Sequence, residues 1–380
     1  MNLALSDEQE LLREAARGTL ARLGTVAAAR AALDGRRAPN LWPAAVEAGW
    51  PGLLISEEHG GAGLSAFDAM LVAQECGRVL AGVPLLGHLP ATALLDAAGD
   101  ERLEALAAGE LRAAWLPARP PGDADPEPGW TVERRRGAGR EPAPRARTAG
   151  DRLAFTGTVA WVPDAPGADC LVVVGTGPDG APVAGAVDAA DARVEAVVRY
   201  DATRALGHVV LDDAPAERLD VRPEALARAW YLAQALLAAE AVGAVEATLE
   251  MAVGYAKERF TFGRAIGSYQ AIKHGLTEVL RLLENARSLL YYAGWAFADR
   301  PEEFPLAASA ARSAAGRALD HAARQNITTH GGIGATWEHD APLYFRRAQL
   351  TRRLLGGNAD ATDRVAGELL AAVDGAQRVA

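Results

Sequence analysis

One short stretch carries an unusual concentration of anion-binding residue types. It runs Tyr255-Ala256-Lys257-Glu258-Arg259-Phe260-Thr261-Phe262-Gly263-Arg264-Ala265-Ile266-Gly267-Ser268-Tyr269-Gln270. Arginine presents a planar fork of donors that matches a phosphate or carboxylate. Gln270 adds an amide, and the start of a following helix attracts negative charge. Gly263 and Gly267 allow a tight turn. A turn alone calls for neither an arginine, an aromatic nor a glutamine. The chemistry indicated is the gripping of a phosphate-bearing group. The plainer alternative is a helical hairpin whose Arg259 makes an ordinary surface ion pair.

The elements that position this corner are two long helices. Leu226, Trp230, Ala233, Leu237, Ala241, Val245, Leu249, Ala252 and Ala256 fall on one face at helical spacing. Ile272, Leu276, Val279, Leu283, Ala286, Leu290, Ala293 and Phe297 repeat that spacing afterwards. Ser268 is the expected N-cap of the second helix. Earlier, Ser6 to Gln9 reads as a capping box opening a helix to about Leu23. Further helices are expected at Leu41 to Gly49, Ala66 to Val79 and Glu101 to Ala107. From about Glu110 the period changes to that of strands, at Leu153 to Phe155, Cys170 to Val174, Val183 to Val187 and His208 to Leu211. It returns to helical near Arg222.

Composition removes several classes. A net charge of −10 argues against general nucleic-acid binding. Cys76 and Cys170 and the seven histidines show no metal-ligand spacing, so no metal site is expected. The N-terminus lacks the regions of a signal peptide and no apolar run spans a membrane, which leads us to expect a cytoplasmic protein. Gly175-Thr176-Gly177-Pro178-Asp179-Gly180 formally matches a dinucleotide fingerprint. Ala181-Pro182-Val183 follows it, so it reads as a hairpin turn rather than the start of a phosphate-binding helix. The Pro- and Arg-rich stretch 117–150, with Arg134, Arg135, Arg136, Arg140, Arg145 and Arg147, reads as a solvated loop. An anion-binding flap is the sharper alternative.

Arg259-x-x-Phe262-Gly263, Ile266 and Gln270 resemble a corner of the acyl-CoA dehydrogenase family of flavoproteins. Two glycine loops in matching order strengthen the resemblance: Glu57 to Leu64, and His330-Gly331-Gly332-Ile333-Gly334-Ala335-Thr336-Trp337-Glu338. The resemblance spans most of the chain and is weakest from Pro117 to Gly150. It implies an α+β, mostly α fold: an N-terminal helical domain (1–109), a middle β-barrel domain (110–220) and a C-terminal four-helix bundle domain (221–380). It implies FAD, an acyl-CoA substrate, α,β-desaturation and an acceptor resembling electron-transfer flavoprotein. Arg259, Phe262, Gly263, Ile266, Gln270, Gly331, Gly332 and Trp161 are the implied cofactor-binding residues, the first five toward a neighbouring subunit's FAD.

The same resemblance marks what this chain lacks. Counting to the two family positions of the catalytic Glu reaches Leu355 and Ala233. Glu240, two turns from Ala233 on roughly the same face, is the candidate displaced base, or else an ordinary polar residue at a helix boundary. Glu338 and Asp340 are further acidic candidates, Glu338 matching a structural Glu of the family loop. The family's T-E-P-x-x-G-S-D flavin cradle becomes Trp115 to Asp125, and its W-[IV]-[TS] pattern becomes Trp161-Val162-Pro163. Pro163 has no N–H or hydroxyl to offer. A chain keeping only the tail grip is expected to be one subunit of a heteromer whose sister supplies base and ring cradle. The alternatives are an active homotetramer with a displaced base and a flavin-free scaffold or regulatory subunit.

Overall fold

The computed structural model describes residues 4–36, 38–119, 130–132, 140–197 and 200–379. The first helices are α1 (Asp7–Ala21), α2 (Thr25–Leu33), α3 (Trp42–Glu47), α4 (Ala66–Arg78), α5 (Leu85–Ala98) and α6 (Leu103–Ala107). The Ser6 capping box forms: the Gln9 N–H donates to Ser6 Oγ at 3.2 Å, and the Ser6 N–H donates to the Gln9 side chain at 3.1 Å. Helices α2 and α5 go beyond the sequence-based expectation. Helix α5 contains Gly87 and Pro90, both helix breakers in isolation, yet it is buried along most of its length. Asp164, from a distant turn, accepts from the Gly87 N–H at 2.8 Å and so satisfies a donor in its first turn.

The strands are β1 (Ala113–Leu116), β2 (Trp130–Val132), β3 (Arg140–Pro142), β4 (Arg145–Ala149), β5 (Arg152–Pro163), β6 (Cys170–Thr176), β7 (Pro182–Asp188), β8 (Arg193–Val197) and β9 (Leu206–Leu219). The main sheet runs β1-β6-β4-β5-β9-β7, and β6 also pairs with β7, which closes it into a barrel. The formal dinucleotide motif is the β6–β7 hairpin turn, with Thr176 opposite Pro182 and Gly177 N–H donating to Ala181 O.

The C-terminal part comprises α7 (Pro223–Glu258), a short hairpin of β10 (Phe260–Thr261) and β11 (Arg264–Ala265), α8 (Gln270–Asp299), α9 (Phe304–His330), α10 (Ala341–Thr351) and α11 (Gly357–Val379). Helices α7, α8, α9 and α11 form the bundle. Small residues set its spacing: Ala-rich α9 lies along α7, while Gly77 and Gly243 let α4 and α7 touch backbone to backbone. A Cβ at either glycine would overlap a carbonyl on the facing helix. One apolar core joins both helical parts to one face of the sheet, and a second fills the barrel. No helix among the described residues is long and apolar enough to cross a membrane.

Candidate active site

The corner after α7 is exposed and strained. Phe262 and Gly263 have φ of 52° and 79° in the loop joining β10 to β11. Positive φ at both central residues is the requirement of a type I′ hairpin, normally met by Asn-Gly. Phenylalanine there costs roughly 1 kcal/mol or more. No internal packing offsets that cost, because Phe262 is 93% exposed. Ile266 N–H donates to Arg259 O at 2.8 Å, and the Tyr269 hydroxyl donates to Thr261 O at 2.9 Å, so the loop is held rigidly. Arg259 and Gln270 are both exposed. Among the described residues, neither side chain has a hydrogen-bond or ion-pair partner. Ser268 does not cap α8: Tyr269 occupies the N-cap, and the Ser268 hydroxyl donates back to Ala265 O.

The second glycine loop stops α9. Gly331 has φ 65°, and a Cβ added at Gly331 or Gly332 would meet nothing within 4 Å. Backbone at both positions is therefore open to close approach by another molecule. The loop is anchored by His330, whose ring lies 4.3 Å from that of Tyr255 and 4.1 Å from that of His339. Ile333 and Trp337 beside it are exposed. Glu338 is also exposed, and Asp340 is ion-paired to Arg30.

The other side of the site is closed. Gln234, next to Ala233, donates from Nε2 to the Leu355 carbonyl at 3.0 Å. The two positions reached by counting therefore converge in space, and both residues are buried and apolar. Leu355 has φ 51°, an unfavourable conformation for leucine. Arg312 holds the same turn from beneath. Its guanidinium is fully buried and donates to Asn358 Oδ1 at 2.7 Å and to Thr351 O at 2.5 Å. Burial lowers its pKa to about 10. Arg119 pairs with Asp360 at 3.2 Å, tying the segment after β1 to α11. Trp115 is buried, with its ring edge-on to Trp230.

Trp161 has φ 59° and sits where the β5–β9 register slips between Val159 and Val162. Its ring meets His208 edge-on at 4.5 Å. Pro163 is buried. Residues 120–125 of the altered cradle and Arg134, Arg135 and Arg136 lie outside the described residues. Arg147 is an exposed strand residue paired with Asp213.

Glu240 lies in the middle of α7, not at a helix boundary. It is ion-paired to Arg204, and Arg347 Nη1 stands 3.6 Å away. Arg347 also binds Asp201 at 2.8 Å. All four side chains are more than nine-tenths buried. Burial pushes the Asp201 carboxyl up, but Arg347, Thr203 and Arg204 outweigh it and the net shift is downward. A carboxylate shared by two buried guanidiniums is a poor proton acceptor. Glu240 is thus built into a structural ion cluster. The sequence carried a faint signal for this cluster: Arg347 interrupts a largely buried helical face, which demands buried partners.

Comparison with known proteins decides the family. The acyl-CoA dehydrogenase N-terminal domain matches residues 6–118, and the acyl-CoA dehydrogenase C-terminal domain matches residues 228–370. Acyl-CoA dehydrogenase IpdE2 of Mycolicibacterium smegmatis is 31% identical over 96% of this chain and 100% of its own length. The chain belongs to the acyl-CoA dehydrogenase family. Members of this family are FAD-dependent oxidoreductases. A solved variant of the Tcur3481-Tcur3483 steroid ACAD shares the fold at a TM-score of 0.84, with 29% identity over 97% of this chain and 99% of that one. The FAD complex of PigA shares the fold at a TM-score of 0.82 and 21% identity, covering 97% and 99%.

The residues present fit FAD unevenly. The exposed Arg259 and Gln270 and the open Gly331-Gly332 backbone fit a phosphate-bearing tail. Pro163, without a donor, and the buried, apolar Ala233 and Leu355 do not fit a reacting flavin ring and its base.

Proposed function

We propose that this chain is one subunit of a heteromeric acyl-CoA dehydrogenase, contributing the FAD-tail grip while a sister subunit supplies the catalytic Glu and the ring cradle. The observation that carries this reading is the asymmetry of the site. Arg259 and Gln270 are exposed without partners among the described residues, whereas both positions expected for a base are buried and apolar, and Gln234, next to one of them, hydrogen-bonds the carbonyl of the other. Arg259 would donate to a phosphate oxygen of the cofactor, with Gln270 and the first N–H groups of α8 beside it. Phe262 and Trp337 would be covered by the sister chain. FAD, when bound, supplies the hydride acceptor for the β carbon. The α proton goes to the sister's carboxylate, because this chain holds Glu240 in its ion cluster. The two-part name of the steroid ACAD neighbour supports an enzyme of two different chains, and with it a bulky acyl-CoA such as a steroid side-chain thioester.

The test is cofactor stoichiometry. Each pair of unlike subunits contains one complete site and one lacking base and cradle. Co-expression with the sister chain is expected to give about one FAD per two chains, and the lone chain little FAD. One flavin per polypeptide in the purified lone chain would overturn the half-site reading.

A further inference from the structure

The loop that carries Gly331 and Gly332 runs from the end of α9 to the start of α10. Its first end is held by His330, whose Nδ1 lies 2.8 Å from Asn326 O and whose ring stacks on Tyr255 near the end of α7. The stretch after Ala335 has weaker means of its own. Thr336 N–H donates to Ile333 O at 3.1 Å, and His339 N–H donates to Thr336 O at 3.4 Å, which is long for such a bond. Ile333 and Trp337 are 49% and 63% exposed, so apolar burial holds little of this half.

The second end is held from the N-terminal helices. Arg30, in the last turn of α2, donates from Nη1 to Trp337 O and, at 3.3 Å, to His339 O. Its Nη2 donates to the carboxylate of Asp340, the N-cap residue of α10. One planar fork therefore takes two loop carbonyls and the side chain that opens the next helix, a geometry that an ammonium cannot match. The fork works from a fixed base. Thr25 Oγ1, at the start of α2, donates to Val79 O at 2.6 Å, and the Tyr344 hydroxyl of α10 donates to Arg78 O at 2.7 Å. Helices α2 and α10 are thus both tied to the end of α4, and Arg30 spans the gap between them. The Arg30–Asp340 pair is partly exposed and by itself would add little to stability. The two carbonyl contacts do something else: they fix main chain, and a glycine pair open to close approach is useful only where its main chain is fixed.

We propose that Arg30 is a positioning residue for the cofactor-tail loop. It does not touch the cofactor; it holds residues 337–340, and through them the Gly331-Gly332 backbone, where the tail is gripped. The inference rests on the tail-grip reading of this chain. Without Arg30 the loop must be re-ordered each time the tail binds, and that lost backbone freedom weakens binding.

The experiment has two arms. Amide hydrogen exchange on the lone chain compares wild type with Arg30→Met. Exchange at residues 336–340 should speed up about tenfold or more, with α7, α9 and the urea midpoint unmoved. FAD retention is then compared in complexes with the co-expressed sister chain, with Arg259→Ala as the reference. Arg30→Met should weaken retention about tenfold, and Arg30→Lys, which keeps the charge without the fork, should recover to within about threefold of wild type. Retention unchanged in Arg30→Met but weakened in Arg259→Ala would overturn the positioning role and leave the tail grip standing. Retention unchanged in both would remove the tail grip and this proposal with it. Unchanged exchange at 336–340, or faster exchange throughout with a lower urea midpoint, would also overturn it, the latter by assigning Arg30 to the fold as a whole. If Arg30→Met fails to fold, Asp340→Asn removes only the charge facing Nη2 and should weaken retention about threefold; no change there overturns the proposal.

Discussion

The hairpin after α7 and the turn before α11 belong to the same candidate site and have opposite physics. The hairpin keeps its charged and aromatic side chains outside: Arg259 and Gln270 are exposed, and Phe262 is 93% exposed in a strained backbone. The turn keeps everything inside. Leu355 is buried, its carbonyl is taken by Gln234, and the fully buried Arg312 holds the residues around it. Backbone strain occurs in both, at Phe262 and at Leu355, but only one of them is solvated. Unpaired donors beside exposed aromatic surface describe a half-made interface. Buried side chains turned inward around leucine and alanine, with Gln234 Nε2 and the Arg312 Nη groups bonded, describe a filled one. Among the described residues, leucine and alanine occupy both positions where a base is expected.

Five measurements bear on this contrast. The largest effect concerns turnover. A positioned general base contributes about 10²–10⁴-fold, so the lone chain is expected to desaturate acyl-CoA with an artificial acceptor at least that much more slowly than the complex. Brisk turnover by the lone chain would remove the contrast outright.

Next is Glu240→Gln. Removing one charge from a buried ion cluster costs about 3–5 kcal/mol. Urea unfolding should show that loss, while turnover per intact complex stays within about twofold, as for a residue that makes no transition-state contact. Abolished turnover with unchanged stability would restore Glu240 as a base.

Away from this turn, His88 of α5 and Asp164, which bonds the first turn of α5, make a pH prediction. Burial pushes the Asp164 carboxyl up from 3.8 to about 6, and burial pushes the His88 ring down from 6.5 to about 4. The Asp164 contribution is present at low pH and lost as pH rises through about 6. The His88 contribution is present above 6.5 and lost as pH falls through about 4. Each is worth roughly 3 kcal/mol, and over about pH 4–6.5 they oppose each other. The wild-type pH slope from this pair should be small. Asp164→Asn should expose the His88 loss, lowering stability by about 3 kcal/mol more than in wild type between about pH 6.5 and 4. A variant with an unchanged pH profile would show that Asp164 is not buried as described.

On the open side, Arg259→Ala should weaken FAD retention by the complex about ten- to a hundredfold, the worth of one charge-assisted phosphate contact at roughly 1.5–3 kcal/mol. Thermal unfolding of the lone chain should be unmoved. Unchanged FAD affinity in the intact assembly would remove Arg259 from the grip.

The smallest effect is Phe262→Asn. Asparagine tolerates positive φ, so the lone chain should gain about 0.5–1 kcal/mol in denaturant unfolding. Association with the sister chain should weaken at the same time. A more stable variant that assembles normally would mean Phe262 contributes nothing at the interface.

Much of this molecule is set locally. The helical periods of α7 and α8, the Ser6 capping box, the alternation from helix to strand near Glu110 and the hairpin at Gly175 to Gly180 depend on neighbours within a few residues, so the sequence displays them directly. The residue types of the corner can be read for the same reason, since Arg259, Phe262 and Gln270 lie within one short stretch of chain. Helix α5 was not legible: Gly87 and Pro90 argue against it locally, and it persists through burial against α7 and β1 and through Asp164 reaching its first turn. The fate of Glu240 was equally hidden. Its partners Arg204 and Arg347 come from another segment and another helix, and nothing in the spacing around Glu240 announces them. Counting along the chain reached Ala233 and Leu355 separately. Only the packed bundle placed them together, because a hydrogen bond between residues far apart in sequence exists once folding has brought their helices into contact.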